Sequence, residues 1–322
     1  MNPPQLPLNL VPVRCCVCDT DDAELVGRGY DYEYFTCAEW FDARRCRECG
    51  NVYLNPRPDI SEFARIYPAS YHALNFSEDR YGLVHDVRSR LEARRLLRYC
   101  RGIPDDARIL DVGCGDGFHL DLLKRFGQPG WTLEGVDVDA RAVARASSRG
   151  VKVHHGGIED LGLPAGSYDL VYTIQTIEHV ARPDAMLAAI FRLLKHGGRL
   201  VVVTDNTDSV DFGWFKRSYW GGYHFPRHWN LFNRQALGRL ARRAGFEVSG
   251  IATIVSPVNW VYSIHNLLVG KGSPQWLINR FTLESPGSLG AFTLLDIVLQ
   301  KFGRGALLNG YFTKGREILA KS

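Results

Sequence analysis

The sequence predicts a doubly wound α/β fold, and three observations predict it. Residues 108–117 (Arg-Ile-Leu-Asp-Val-Gly-Cys-Gly-Asp-Gly) are an apolar run ending in an acid, followed by glycines at alternate positions. An apolar-periodic segment follows at 118–126, so the stretch reads as a buried strand, a tight turn and a helix start. Residues 131–137 then form a second apolar run that also ends in an acid. Beyond it, apolar runs and helix-periodic segments alternate out to Phe246, the pattern of βα units laid on a parallel sheet.

Glycine at 113, 115 and 117 lets the backbone approach a ligand closely and take φ > 0 without side-chain cost. The helix start just beyond presents free N–H groups to a carboxylate or phosphate. Spacing separates the ligands. A dinucleotide fingerprint would place its third glycine at 118, which is Phe118, whereas here it falls at Gly117. The form Asp-x-Gly-x-Gly-x-Gly, from Asp111 to Gly117, resembles motif I of the class I S-adenosylmethionine (SAM) methyltransferases. The resemblance implies a seven-stranded, doubly wound, Rossmann-like methyltransferase sheet with an antiparallel last strand. It also implies SAM as cofactor, with contacts from Asp111, Gly113, Gly115 and Gly117. An acid at the tip of the second strand can accept hydrogen bonds from both ribose hydroxyls, which makes Asp137 the ribose candidate, with Val138 beside it. Asp139 instead suits the cap of a helix starting at Ala140.

Composition bounds the rest. The 322 residues fit one large domain, or a core with a small appendage. A net charge of +4, from 39 Lys+Arg against 35 Asp+Glu, is too mild to argue for nucleic acid. The first residues lack a charged region followed by an apolar core, so no signal peptide is expected, and no apolar run is long enough to span a bilayer. Cysteines in CxxC pairs and singles point to a reducing compartment with a metal rather than disulfides. A cytoplasmic location follows as the expectation.

Taken in order, residues 1–13 are a Pro-rich lead-in. Cys15-Cys16-Val17-Cys18 and Cys46-Arg47-Glu48-Cys49-Gly50 form two CxxC knuckles that can place Cys15, Cys18, Cys46 and Cys49 tetrahedrally around a structural Zn²⁺. A Tyr- and Phe-rich hairpin over 25–41 fills the gap, so residues 1–58 are expected to form a zinc-binding module. Cys16 is the alternative to Cys15, and Cys37 is read as a bystander. Residues 59–105 carry helical periodicity broken at Pro68 and Gly82. By resemblance they cover the cofactor, with Tyr71 and Tyr81 as candidate lid residues, and the SAM-binding core follows over 106–322.

Within that core, a helix over 140–149 and a third strand over 151–155 lead to Gly156-Gly157-Ile158-Glu159-Asp160-Leu161, which resembles the family's motif III. Family members often carry Asp where this chain has Gly157, so Ile158 and Glu159 are the adenine candidates. A fourth strand (167–172) leads to Thr173-Ile174-Gln175-Thr176-Ile177-Glu178-His179-Val180, similar to the family's post-strand motif, with Gln175 beside the cofactor. Amino-methylating DNA enzymes carry an Asp/Asn-Pro-Pro-aromatic motif here, and this chain does not. Some quinone-type O-methyltransferases carry Glu-x-x-Glu-His and place a divalent cation beside the acceptor; Gln175 replaces the first glutamate. Glu178 and His179 are therefore read either as catalytic or as the start of the next helix, orienting the cofactor loop.

A helix (183–194) and a fifth strand (199–204) precede an aromatic loop over 205–232, densest at 219–232. Its His224 and His228, among Trp220, Tyr223, Phe225 and Trp229, suggest an acceptor pocket with an apolar floor. A helix (235–244) and a sixth strand from Gly245 follow. A helical insertion over about 257–305 has apolar segments at 258–269 and 289–302, and residues 306–313 form the last strand. The insertion covers the substrate or packs on the domain; membrane-surface contact is the weaker alternative, because neither segment has a Lys/Arg-rich polar face.

The function expected is methyl transfer from SAM to an O or C nucleophile of a small hydrophobic or glycosylated acceptor. Positioning carries most of the acceleration, and His179, His224 or His228 supplies a base. Two other classes compete. A nucleic-acid or protein methyltransferase would need a basic stripe, of which Arg44, Arg45, Arg47 and Arg57 are the only start. A non-catalytic SAM-binding scaffold would carry no base facing the sulfonium. Oligomeric state has no signature in the sequence.

Overall fold

The computed structural model describes residues 6–68 and 78–315, with side chains described from 89 onward in the second stretch. Tyr71 and the side chain of Tyr81 lie outside the described residues. Seven strands form one sheet: β1 (Arg108–Val112), β2 (Thr132–Asp137), β3 (Lys152–His155), β4 (Tyr168–Ile174), β5 (Leu194–Asp205), β6 (Glu247–Ile254) and β7 (Leu307–Thr313). Their spatial order is 6-7-5-4-1-2-3. β1 to β5 run parallel, and β7 lies antiparallel between β5 and β6. The central strands are apolar on both faces because helices cover both. Leu170, Val171 and Tyr172 of β4 are all buried, as two-sided burial of a parallel strand requires. The expected seven-stranded, doubly wound sheet is the observed one.

Two local differences have simple causes. β5 starts at Leu194 and runs through Gly197-Gly198 with a register shift before Arg199, so the glycine pair bends the strand instead of preceding it. Gly82 lies inside a continuous helix, Glu78–Tyr99. One glycine costs a helix only about 1 kcal/mol, which a 22-residue helix can absorb.

The cysteine module is built into the domain. Its sheet of Ala23–Gly29, Phe41–Cys46 and Val52–Leu54 is completed by Asn230–Leu231 from the loop after β5, which pairs antiparallel with Val52 and Tyr53. Cys15, Val17, Cys46, Cys49 and Tyr53 share one buried cluster with Leu110, Val112, Phe232 and Leu240. The helix Arg234–Arg243 anchors the knuckles. Arg243 donates to the Val17 carbonyl, Arg239 pairs with Glu48, and Asn233 Nδ2 donates to the Cys49 carbonyl.

The insertion is two helices, Pro257–Gly270 and Pro286–Lys301, joined through the short helix Gln275–Ile278. The first supports the loop after β5: Ser263 Oγ accepts from the Gly221 N–H at 2.8 Å, and Asn259 Nδ2 donates to Asp205 Oδ1 at 2.7 Å. No helix among the described residues is long and apolar enough to cross a membrane.

Candidate active site

The site is built where β1, β2, β4 and β5 end on one edge of the sheet. After β1 the chain takes φ +78, +54 and +80 at Gly113, Gly115 and Gly117, the left-handed region that favours glycine. Two of these glycines are also needed for space. A Cβ at Gly113 would lie 2.2 Å from Thr176 Oγ1, and one at Gly117 would lie 2.9 Å from the Ala146 Cβ. At Gly115 a Cβ would meet nothing within 4 Å, so this face of the turn is open to a ligand. Asp137, at the tip of β2, accepts from the Gly115 N–H through Oδ2 and from the Asp139 N–H through Oδ1, each at 2.8 Å. Burial raises its pKa against the pull of those two donors. Asp139 accepts from the Arg141 N–H and caps the next helix.

The other cofactor candidates fall around this turn. Asp111 is buried beneath it, and burial raises its carboxyl well above the usual range. Val138 is 53% exposed next to Asp137. Ile158 is buried and Glu159 is exposed, its carboxylate curling back over Gly157. Gln175 takes φ +52, and its N–H donates to the Val203 carbonyl at 2.8 Å. Its buried Oε1 has no protein partner among the described residues.

Glu178 and the three histidines form a second cluster, which begins two residues after Thr176. Glu178 is fully buried and accepts from Thr204 Oγ1 at 2.8 Å. Burial pushes its carboxyl up to about 7; His228 opposes this and the Asp205 carboxylate adds to it. The Glu178 carbonyl accepts from the N–H groups of Trp229 and Asn230, which ties the post-β4 motif to the loop after β5. Ring centroids of His179 and His228 lie 4.4 Å apart, those of His224 and His228 5.0 Å, and those of His179 and His224 6.5 Å.

Each imidazole has a different partner. His228 Nδ1 sits 2.8 Å from the Gly222 carbonyl and 3.1 Å from Asp205 Oδ2. Both are acceptors, so Nδ1 carries the proton and Nε2 is left with the lone pair in the neutral ring. Burial lowers the His228 pKa, but Asp205 and Glu178 outweigh it and the net shift is upward. His179 Nδ1 lies 2.8 Å from the Tyr67 hydroxyl and 3.2 Å from the Arg227 carbonyl. Burial first, then the other two histidines, lower its pKa well below normal. His224 Nδ1 lies 2.8 Å from Glu33 Oε2, and its backbone is left-handed at φ +39. For a non-glycine residue that conformation costs on the order of 1 kcal/mol or more and tends to mark functional sites.

Five residues of this constellation were missed in the sequence: Asp31, Glu33, Tyr67, Asp205 and Arg227. Asp205 had a usable signal, since it closes β5 just as Asp111 and Asp137 lie at the ends of β1 and β2. Asp31 and Arg227 are 196 positions apart and have no local signature. Arg227 is fully buried, and its donors reach Asp31 Oδ1 and Oδ2, Thr36 Oγ1 and the carbonyls of Ile66 and Phe225. Burial raises the Asp31 pKa, but Arg227 and Thr36 hold it below normal on balance.

The large aromatics do not form the expected pocket floor. Trp220, Tyr223, Phe225 and Trp229 are buried in a cluster with Phe41, Val52 and Leu54 of the cysteine module. Their polar ends are used internally: Trp220 Nε1 donates to Asp211, Trp229 Nε1 to the Pro226 carbonyl, and Tyr223 OH to the Lys216 carbonyl. Satisfied in this way, they glue loop to module.

Two groups of donor atoms could hold a metal. The sulfurs of Cys15, Cys18, Cys46 and Cys49 lie within 4.8 Å of one another. Tetrahedral Zn²⁺ with Zn–S of ~2.3 Å needs S···S edges of about 3.8 Å, so the set fits with small adjustments. None of the four is joined in a disulfide. Cys16 is turned to Asn51 Nδ2, and Cys37 belongs to the aromatic cluster. Donor atoms of Glu178, His179 and His228 also lie within 4.8 Å of one another.

The methyltransferase-domain family matches residues 83–249, more than half of the chain. The chain belongs to the class I SAM-dependent methyltransferases. The chain is 31% identical over 157 residues to a probable S-adenosylmethionine-dependent methyltransferase of Mycolicibacterium smegmatis, covering 48% of this chain and 56% of that protein. It is 30% identical over 172 residues to a ubiquinone biosynthesis O-methyltransferase of Cereibacter sphaeroides, covering 49% and 67%. The chain thus spans little more than half the length of the mycobacterial relative. Among solved structures, the geranyl diphosphate C-methyltransferase of Streptomyces coelicolor shares the fold, with a TM-score of 0.50 at 16% identity over 76% of this chain and 87% of that one.

Proposed function

We propose that this methyltransferase transfers the SAM methyl group to an O or C nucleophile of a small, uncharged acceptor, with His228 as the base. The observation that carries the reading is the Asp205–His228 pair at the ends of β5 and its loop. Asp205 and the Gly222 carbonyl hold the proton on Nδ1, so Nε2 can take a proton from the acceptor. Glu178 and His179 border the same spot, and Thr176 joins it to the glycine turn. SAM would supply an electrophilic methyl; Asp137 would hold it at the ribose hydroxyls, with Gly113, Gly115, Gly117, Ile158 and Glu159 as the other residues that would hold it. The chain's part is to hold acceptor and methyl in line and to accept the proton. The four knuckle cysteines would hold a structural Zn²⁺, which would fix the module.

Two variants test the assignment. Asp137→Ala should lose charge-assisted hydrogen bonds of about 1.5–3 kcal/mol each and weaken SAM at least about tenfold by calorimetry. Unchanged SAM affinity would remove the ribose assignment. His228→Gln should slow methyl incorporation from labelled SAM by about 10²- to 10⁴-fold while SAM affinity stays within about twofold, because the loss is confined to the transition state. A variant that turns over normally would eliminate His228 as base. Chelator treatment that leaves zinc in the knuckles but stops turnover would instead favour a cation at Glu178, His179 and His228.

A further inference from the structure

The segment between the two cysteine knuckles reaches the acceptor side of the site. It brings Glu33 to His224, with Glu33 Oε2 2.8 Å from His224 Nδ1 and both side chains at most 6% exposed. Two residues earlier in the same segment, Asp31 clamps Arg227 with both carboxylate oxygens. The Arg227 N–H in turn donates to the His224 carbonyl at 2.8 Å, and the Arg227 carbonyl faces His179 Nδ1. A left-handed histidine is an unfavourable conformation, and it persists here between these two carboxylate contacts. Among the described residues, Glu33 and the rings of Tyr34, His179 and His228 stand around the His224 ring.

We propose that Glu33 is a positioning residue of the methyl-transfer site, acting through His224. Its carboxylate keeps the His224 proton on Nδ1 and the ring plane fixed, so that Nε2 is presented to the acceptor beside His228. The knuckle module is then a working wall of the acceptor site as well as a folding element. This rests on the methyl-transfer reading above and adds a second imidazole–carboxylate pair to it. The arrangement also has a chemical consequence for the acceptor. Arg227 spends its donors on Asp31, Thr36 and two carbonyls, while Glu33, Glu178 and Asp205 gather around the histidines. Among the described residues these groups disfavour a phosphate or carboxylate at this spot and suit a hydroxyl or an enolisable carbonyl.

The test uses the full chain with Glu33→Gln, Glu33→Asp, His224→Asn and the Glu33→Gln/His224→Asn double variant. Methyl-labelled SAM and a small-molecule extract of the host serve as probe. Glu33→Gln should lower incorporation at least about tenfold, as loss of an orienting carboxylate does, with SAM affinity within about twofold. Glu33→Asp should recover part of the rate, and the double variant should be no slower than His224→Asn alone. In the wild type, ¹⁵N spectra should place the His224 proton on Nδ1 in a strongly deshielded, carboxylate-bonded N–H, and Glu33→Gln should shift it upfield. Equal rates for Glu33→Gln and wild type, additive losses in the double variant, or a wild-type His224 proton on Nε2 would each overturn the proposal. The spectra decide even if a variant folds poorly or the extract holds no acceptor. Failure of the wild type to bind SAM would instead count against the methyl-transfer reading.

Discussion

On the proposed zinc reading, replacing Cys46 by serine should empty the knuckle site and remove folding free energy on the order of 10 kcal/mol, the size a structural Zn²⁺ supplies. The effect should spread well beyond the knuckles. The strand Val52–Leu54 leaves the second knuckle and pairs with Asn230–Leu231, and Cys15, Cys46 and Cys49 pack in one cluster with the methyltransferase core. Metal analysis should find one zinc per wild-type chain and none in the variant. Hydrogen exchange should show lost protection in residues 10–58 and in the loop around His224 and His228. Full protection of both regions in a zinc-free variant would show that packing alone carries the module.

The second large effect is expected at Asp31. Arg227 is fully buried, and Asp31 supplies the only countercharge among its described contacts. Removing one partner of a buried ion pair leaves the other charge uncompensated, at about 3–5 kcal/mol. Asp31→Ala should therefore lower the melting midpoint by on the order of 10 °C. The Asp31→Leu/Arg227→Met double variant should recover most of that loss, since well-packed apolar replacements often equal a buried pair. The sign of the pH dependence follows from the depressed Asp31 pKa. The stability it contributes is present above the ordinary carboxyl range and is lost as the pH falls through its lower folded value. A single variant that melts like the wild type would show that Arg227 does not depend on Asp31 as its countercharge.

The parts of this protein written locally were legible in its sequence, and the parts written across long separations were not. Asp111, Gly113, Gly115 and Gly117 declare a turn because the backbone there needs φ > 0 and close approach, and Asp137 declares itself as an acid ending an apolar strand. The cysteine pairs are likewise local, and their sulfurs converge. Even β7, returned to the sheet after the helical insertion, had a readable apolar pattern. The aromatic loop misled because Trp220, Tyr223 and Trp229 carry the same composition whether they line a pocket or fill a core. Only the partners from Phe41, Val52 and Leu54 decide it, and nothing near position 220 announces them. The links from Glu33 to His224 and from Asp31 to Arg227 are silent for the same reason. A carboxylate in a hairpin looks solvated until the fold buries it.

The central claim, that the glycine turn and Asp137 hold SAM for transfer to an acceptor beside His228, is tested most directly by one labelling experiment. Purified wild type, Asp137→Ala and His228→Gln would each be incubated with methyl-labelled SAM and a small-molecule extract of the host. The wild type should yield a labelled small molecule together with S-adenosylhomocysteine. Asp137→Ala should do so only at SAM concentrations raised at least about tenfold, and His228→Gln should be about 10²- to 10⁴-fold slower at any SAM concentration. Label found only in protein or nucleic acid, or a wild type that binds NAD more tightly than SAM, would contradict it.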